Sequence, residues 1–178
     1  MLFDSISKYR STKKLDEALW IANKAQATLQ NDKYVCEQIR QHFLQKKKPA
    51  TPKEFSIDFV SKTTGIIPST IRYWDKIGLI SASRCSANNY RTFTQTHIDE
   101  ILMIQAFKLA MRARGEKYAV EQIRREMQQF DFTNTDKISG IVTGIESHLA
   151  TLNRAQIRSI SALYRLCNQV EQNQYDAW

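Results

Sequence analysis

Between Ser69 and Lys76 the chain offers two hydroxyls, a guanidinium and an ammonium on Ser69, Arg72, Tyr73 and Lys76. Wound into a helix, these side chains share an outward face whose donors suit phosphates and base edges in a nucleic-acid groove. Ile71, Trp74 and Ile77 recur at three-residue steps between them and make an apolar stripe for the other face. Further along, Arg84 and Arg91 flank a segment containing Asn88-Asn89. Asparagines tolerate left-handed turns, so the segment predicts a two-stranded hairpin with one arginine going out and one coming back. Arginines placed in this way grip backbone phosphates and fix register without reading sequence.

Other chemistry finds little support. The chain has no phosphate-cradling loop and no nucleophile-base arrangement, and His42, His97 and His148 are scattered. A non-enzymatic protein with no cofactor is expected. Cys36, Cys85 and Cys167 are isolated and odd in number, as in a chain of reduced thiols, and a soft-metal site within one subunit lacks ligands.

The surrounding residues predict the elements that hold the outward face. Ser56 can cap a short helix beginning at Ile57, with Asp58 at the positive end of its dipole. Gly65 supplies a sharp turn, Pro68 suits the first position of the second helix, and Gly78 closes it. That order is helix-turn-helix grammar. After the hairpin, Thr94 or Thr96 caps a longer helix whose Ile98, Ile101, Leu102, Ala106, Leu109 and Ala110 give an apolar face to pack beneath the first two.

Thr64-Gly65, the run Ser69 to Ile80, Arg84 and Asn88-Asn89-Tyr90-Arg91-Thr92-Phe93 together resemble the MerR family of bacterial transcription regulators. Arg112-Ala113-Arg114-Gly115 and Val120 to Arg125 resemble the end of that family's winged domain, so the likeness covers Phe55 to about Gln129. The chain departs from the family pattern at Trp74, where a second tyrosine is usual, at Ala82, often proline, and at Asn89, usually glycine. Trp74 is read as core, although its indole N–H offers an alternative phosphate contact. The resemblance assigns Arg72, Tyr73, Arg84, Tyr90 and Arg91 to DNA and sets Ser69 and Thr70 near base edges, with Tyr90 open to bracing its strand instead. It further implies a dimer on double-stranded promoter DNA, bending or untwisting an over-long spacer and so changing access by RNA polymerase. A small-molecule effector and its identity stay open.

Composition agrees: 26 Lys+Arg against 18 Asp+Glu give a net charge of +8, which favours polyanionic partners. With 5 Gly and 3 Pro the fold class is mainly α, with a small β-hairpin wing. The N-terminus lacks a signal-peptide pattern and no stretch approaches the ~18 apolar residues of a membrane span, so a cytoplasmic protein is expected.

Two flanking regions complete the division. Residues 1–45 read as a helical hairpin, with Leu15, Ala18, Leu19, Ala22, Ala25 and Leu29 on one arm and Val35, Ile39 and Phe43 on the other after Asn31-Asp32. Residues 46–54 form a basic, proline-containing linker, 55–130 the winged domain, 136–172 a dimerisation helix, and 173–178 a tail. Ile138, Val142, Ile145, Leu149, Leu152, Leu163 and Leu166 follow four- and three-residue steps, a coiled-coil seam interrupted at Gln156 and Ser159. The resemblance implies that this helix pairs antiparallel with its copy. An amphipathic helix packed on its own domain is the other reading. Trp20, Tyr34, Phe43, Tyr164, Tyr175 and Trp178 serve as core, or else line an effector pocket between the hairpin and Leu163 to Trp178. An architectural or DNA-tethering protein, using the same domain with a protein partner, is the alternative function.

Overall fold

The computed structural model describes the backbone of residues 2–44, 53–84 and 90–172, and the side chains of 13–43, 53–84 and 90–172. The hairpin tip at Asn88-Asn89, Cys85, linker residues 46–52 and the tail with Tyr175 and Trp178 lie outside the described residues. The described elements are α1 (Leu2–Leu44), α2 (Ile57–Thr64), α3 (Pro68–Lys76), β1 (Ser83–Arg84), β2 (Arg91–Thr92), α4 (Gln95–Ala113), α5 (Val120–Gln129) and α6 (Thr135–Glu171). The class is mainly α with a two-stranded antiparallel wing, as expected.

The N-terminal region corrects the sequence reading. α1 is a single helix from Leu2 to Leu44, and Asn31-Asp32 does not turn the chain. Neither residue breaks a helix as proline does, and the inward spacing runs on through them: Leu29, Asp32, Cys36, Ile39 and Phe43 are all buried. The chain divides into two compact units, Tyr34–Ser147 and a second one made by the residues up to 33 with those from 148 onward.

In Tyr34–Ser147, α4 is the central element. It is buried almost all round, with Ile98, Ile101, Leu102, Met103, Ile104, Ala106, Phe107 and Leu109 inside, which is the pattern of a helix packed by neighbours on every side. α2 packs on both α3 and α4, and α5 on α4. The last turns of α1 belong to the same core. His42 Nε2 lies 2.6 Å from Asp99 Oδ1 on α4, the Cys36 thiol meets the Val142 carbonyl of α6 at 3.9 Å, and Arg40 pairs with Glu146 at 3.1 Å. Ile138, Val142 and Ile145, assigned from sequence to a dimer seam, are at most 2% exposed within the single chain, beside these residues of α1.

The other unit is a helical pair. Gln26 donates to Asn153 at 2.8 Å, and Leu19 and Trp20 line one cleft with Ile160, so the two helices run antiparallel. On α6 Leu149, Cys167 and Val170 are buried and Gln156, Ile160 and Leu163 half-buried, while Leu152 and Leu166 are 36% and 45% exposed. A straight helix has 3.6 residues per turn and drifts off a seven-residue repeat, which moves the inward register from Ser159 to Ile160 and from Leu166 to Cys167. Trp20, Tyr34 and Tyr164, read as core, are exposed, whereas Phe43 is buried.

Membership of α1 in the core of Tyr34–Ser147 has a direct test. Ile39 is 0% exposed, so Ile39→Ala lowers unfolding stability in urea by about 2–4 kcal/mol. Ile21, on the same helix but 71% exposed, is expected to change it by less than about 0.5 kcal/mol when replaced by alanine.

Candidate nucleic-acid interface

The outward face of α3 is set by local sequence at both ends. Ser56 caps α2 by accepting from Phe59 N at 3.2 Å, and Gly65, at φ +71°, ends it with its N–H on the Ser61 carbonyl. Thr64 then spans the turn: its buried hydroxyl donates to Val60 O at 2.8 Å and accepts from Ile66 N at 3.4 Å. Pro68 begins α3, and Gly78, at φ +69°, follows its C-cap Ile77. Ile71 and Trp74 are 0% and 2% exposed, so the apolar stripe lies inward, while Ile77 is only half-buried. Ser69, Arg72, Tyr73 and Lys76 are exposed and Thr70 is half-buried.

Trp74 is therefore core. Its indole donates to the Tyr118 hydroxyl, a contact that opposes the rise in the Tyr118 pKa caused first by burial and then by the neighbouring Tyr73. The Lys108 ammonium lies 5.5 Å from the Trp74 ring centre and 5.1 Å from that of Tyr118. Burial lowers the Lys108 pKa, and the nearby Arg112 adds to that effect. Tyr118, 45% exposed, lies near Tyr73 at the edge of the α3 face.

The wing is tied to α3 by a carboxylate. Ser83 pairs with Thr92 and Arg84 with Arg91 across the two strands. Asp75 Oδ2 accepts from Arg91 Nε at 2.6 Å while Oδ1 accepts from the backbone N–H of Ala82 at 3.2 Å, so one side chain of α3 holds both the approach to β1 and the start of β2. Arg91, expected on phosphate, is engaged within the domain at 28% side-chain exposure. Arg84 and Tyr90 are exposed, Tyr90 at 73%.

Three further ties brace this arrangement. Phe55 and Phe93 exchange backbone hydrogen bonds at 2.7 and 3.0 Å, closing the domain's start onto the wing's end. His97 Nδ1 accepts from Thr94 N at 2.8 Å, which makes Nε2 the N–H that donates to Ser81 O at 2.9 Å. Arg124 of α5 donates to the Ile77 carbonyl and so holds the C-terminal end of α3. Asp75, His97, Arg124 and Tyr118 were not among the expected site residues. Their work lies in long-range contacts, and only the position of Asp75 between Trp74 and Lys76 hinted at it.

Among the described residues no group of three His, Cys, Asp or Glu side chains could hold a metal ion. Cys36 and Cys167 are buried free thiols. Burial, reinforced by Glu146 and Glu37, pushes the Cys36 thiol up to about 11 from 9.0.

Residues 55–129 match the family model described as MerR HTH family regulatory protein. The HTH-type transcriptional regulator CueR of Escherichia coli is 36% identical over 50 residues, 28% of this chain and 37% of that protein. The HTH-type transcriptional regulator HmrR of Rhizobium leguminosarum bv. viciae is 29% identical over 110 residues, covering 62% of this chain and 78% of the relative. The Heavy metal-dependent transcription regulator 2 of Rhizobium meliloti is 29% identical over 111 residues, 62% of this chain and 69% of its own length. The match to CueR thus spans little more than a third of that relative's length. No solved structure matches the chain.

Two measurements probe this geometry. Asp75→Asn removes a negative charge from a basic face, which by charge alone tightens DNA binding; because it also releases Arg91 and so loosens the wing, affinity is expected to fall about tenfold, or ~1.4 kcal/mol. Tighter binding in an anisotropy titration shows instead that Arg91 needs no such anchor. The folded chain holds the Cys36 proton more tightly than the unfolded one, so its stabilising contribution is full below about pH 9 and lost as pH rises through about 11. Unfolding midpoints fall across that window, and less steeply in Cys36→Ala.

Proposed function

Because the chain belongs to the MerR HTH family of regulatory proteins, we propose that it is a transcription regulator that binds double-stranded promoter DNA as a homodimer and distorts it. The observation that carries this reading is the α3 face. Ser69, Arg72, Tyr73 and Lys76 are exposed together, while Ile71 and Trp74 on the same helix are buried, so the donors point outward from a fixed support. Arg72 suits a base edge by virtue of its bidentate fork, and Lys76 suits a phosphate. Ser69 and Thr70 sit at the N-terminal end of α3, where side chains of a recognition helix meet base edges. Arg84 and Tyr90 on the wing sit outside the groove entered by α3 and grip the flanking backbone.

Two copies present two such helices to successive half-sites, and a specific site then depends both on base contacts and on how readily the intervening DNA deforms. The named relatives are transcription regulators, and non-enzymatic regulation fits the absence of any catalytic arrangement in the sequence. Metal sensing by relatives does not carry over to Cys36, whose thiol is buried and held protonated at neutral pH. No helix among the described residues is long and apolar enough to cross a membrane.

The test is an anisotropy titration of the full chain against DNA from upstream of its own gene and against the same bases shuffled, at several salt concentrations. A preference well above tenfold, about 1.4 kcal/mol per decade, is expected. Arg72→Ala reduces that preference, whereas Arg84→Ala weakens both DNAs alike and lowers the salt slope by about one. Equal, steeply salt-dependent binding to both DNAs rejects the regulator in favour of an architectural or tethering protein.

A further inference from the structure

The antiparallel pair formed by α1 and the end of α6 carries an open cleft of about 500 Å³, lined by Asp16, Leu19, Trp20, Asn23, Gln26 and Ile160. That volume is the size of a small-molecule site. Leu19 and Ile160 are half-buried and give the cleft apolar surface, while Trp20, 73% exposed, leaves an indole open to a flat ring. Ile157 and Tyr164 sit on the same flank of α6 as Ile160, about 60° and 40° round the helix from it, and both are exposed. They extend the apolar side.

Two polar groups define the ligand that fits. Of the six lining residues only Asp16 is charged, and it is exposed. Arg154, Arg158 and Arg165 stand about 120°, 160° and 140° round α6 from Ile160, away from the flank that carries the cleft. Towards the other end the Gln26 amide is fixed, because its Nε2 donates to Asn153 at 2.8 Å, and its Oε1 is buried without a hydrogen-bond partner. A carbonyl oxygen shut off from water and from donors is unfavourable, so a ligand N–H or O–H that reaches it gains a bond the protein does not supply. Gln26 is ten residues beyond Asp16, about 15 Å along the helix axis, with Trp20 between them. The cleft is acidic at one end, apolar in the middle and hydrogen-bond accepting at the other.

We propose that this cleft is a binding site for an elongated aromatic cation, with an amidinium or ammonium against Asp16, a flat ring system on Trp20, Leu19 and Ile160, and a hydroxyl or amine donor at Gln26. The carboxylate supplies the charge, the indole attracts both the cation and its ring, and Asn23 offers a further amide between the two ends. An anion of the same shape meets the Asp16 carboxylate and is rejected. All six lining residues lie outside residues 55–129, so the site stands on its own geometry and does not depend on the DNA-binding reading.

Ligand-observed NMR titration of the full chain, free of DNA, compares three probes of one shape: a biphenyl with a hydroxyl at one end and, at the other, a carboxamidine, a carboxamide or a carboxylic acid. At neutral pH these are a cation, a neutral molecule and an anion. The amidine is expected to bind with a dissociation constant of about 0.1 mM, about tenfold tighter than the carboxamide, and the acid not measurably. Asp16→Asn brings the amidine to within about twofold of the carboxamide and leaves the carboxamide where it was, whereas Trp20→Ala weakens both about fivefold. Removing the hydroxyl from the amidine weakens it about fivefold in the wild type and not in Gln26→Leu. Ile21→Ala, at an exposed position outside the cleft, changes nothing, and circular dichroism confirms the helix content of each variant. A wild type that binds none of the probes, equal affinity for all three, or amidine binding unmoved by Asp16→Asn and Trp20→Ala overturns the site. A hydroxyl whose removal costs as much in Gln26→Leu as in the wild type overturns the assignment of the accepting end.

Discussion

The inward side of α3 governs what its outward side can do. Ile71 and Trp74 are sealed, and the Trp74 ring is flanked by the Lys108 ammonium of the central helix α4. A helix of nine residues is too short to be stable by propensity, so its rotation and depth come from this burial. Rotating α3 by a single residue, about 100°, would submerge a polar side chain and lift an indole out of the core. Arg72, Tyr73 and Lys76 therefore emerge on one face because their neighbours cannot.

Polar contacts then set the wing against that face. Strands of two residues each have almost no stability of their own. The wing is held from three sides, by Asp75 on Arg91 and Ala82, by the Phe55 and Phe93 backbones, and by His97 on Ser81. The acid among so many basic side chains is explained by this geometry: Asp75 is a brace, and its ion pair with Arg91 is partly buried, where solvent screening is reduced. Arg124 completes the frame from α5 by satisfying a carbonyl that the end of α3 leaves open.

The long helix α1 links the two units in sequence. Its last turns are built into the core of Tyr34–Ser147 through Cys36, Ile39, His42 and Phe43. Its earlier turns pair with the end of α6 through a thin, partly polar contact. The contrast in packing is one of helix count: α4 is enclosed by neighbours, whereas a pair of helices has only one line along which to bury side chains.

The order of helices, the turn at Gly65, the Pro68 start, the hairpin wing and the inward stripe of α3 were legible in the sequence because each rests on local chemistry: caps, backbone freedom and three- to four-residue periodicity. The resemblance of residues 55–129 was legible for the same reason, since its motifs are runs of neighbours. Tertiary structure alone decided that Asn31-Asp32 continues α1, because a pattern broken by two polar residues fits either a turn or a helix until something packs against both sides. It alone turned Arg91 toward Asp75 and recruited His97 and Arg124, contacts made across 16 to 47 positions of chain. It also moved the inward register of α6 from Leu166 to Cys167, because a straight helix keeps 3.6 residues per turn and drifts off the seven-residue spacing, and the sequence alone does not say whether the helix stays straight or supercoils.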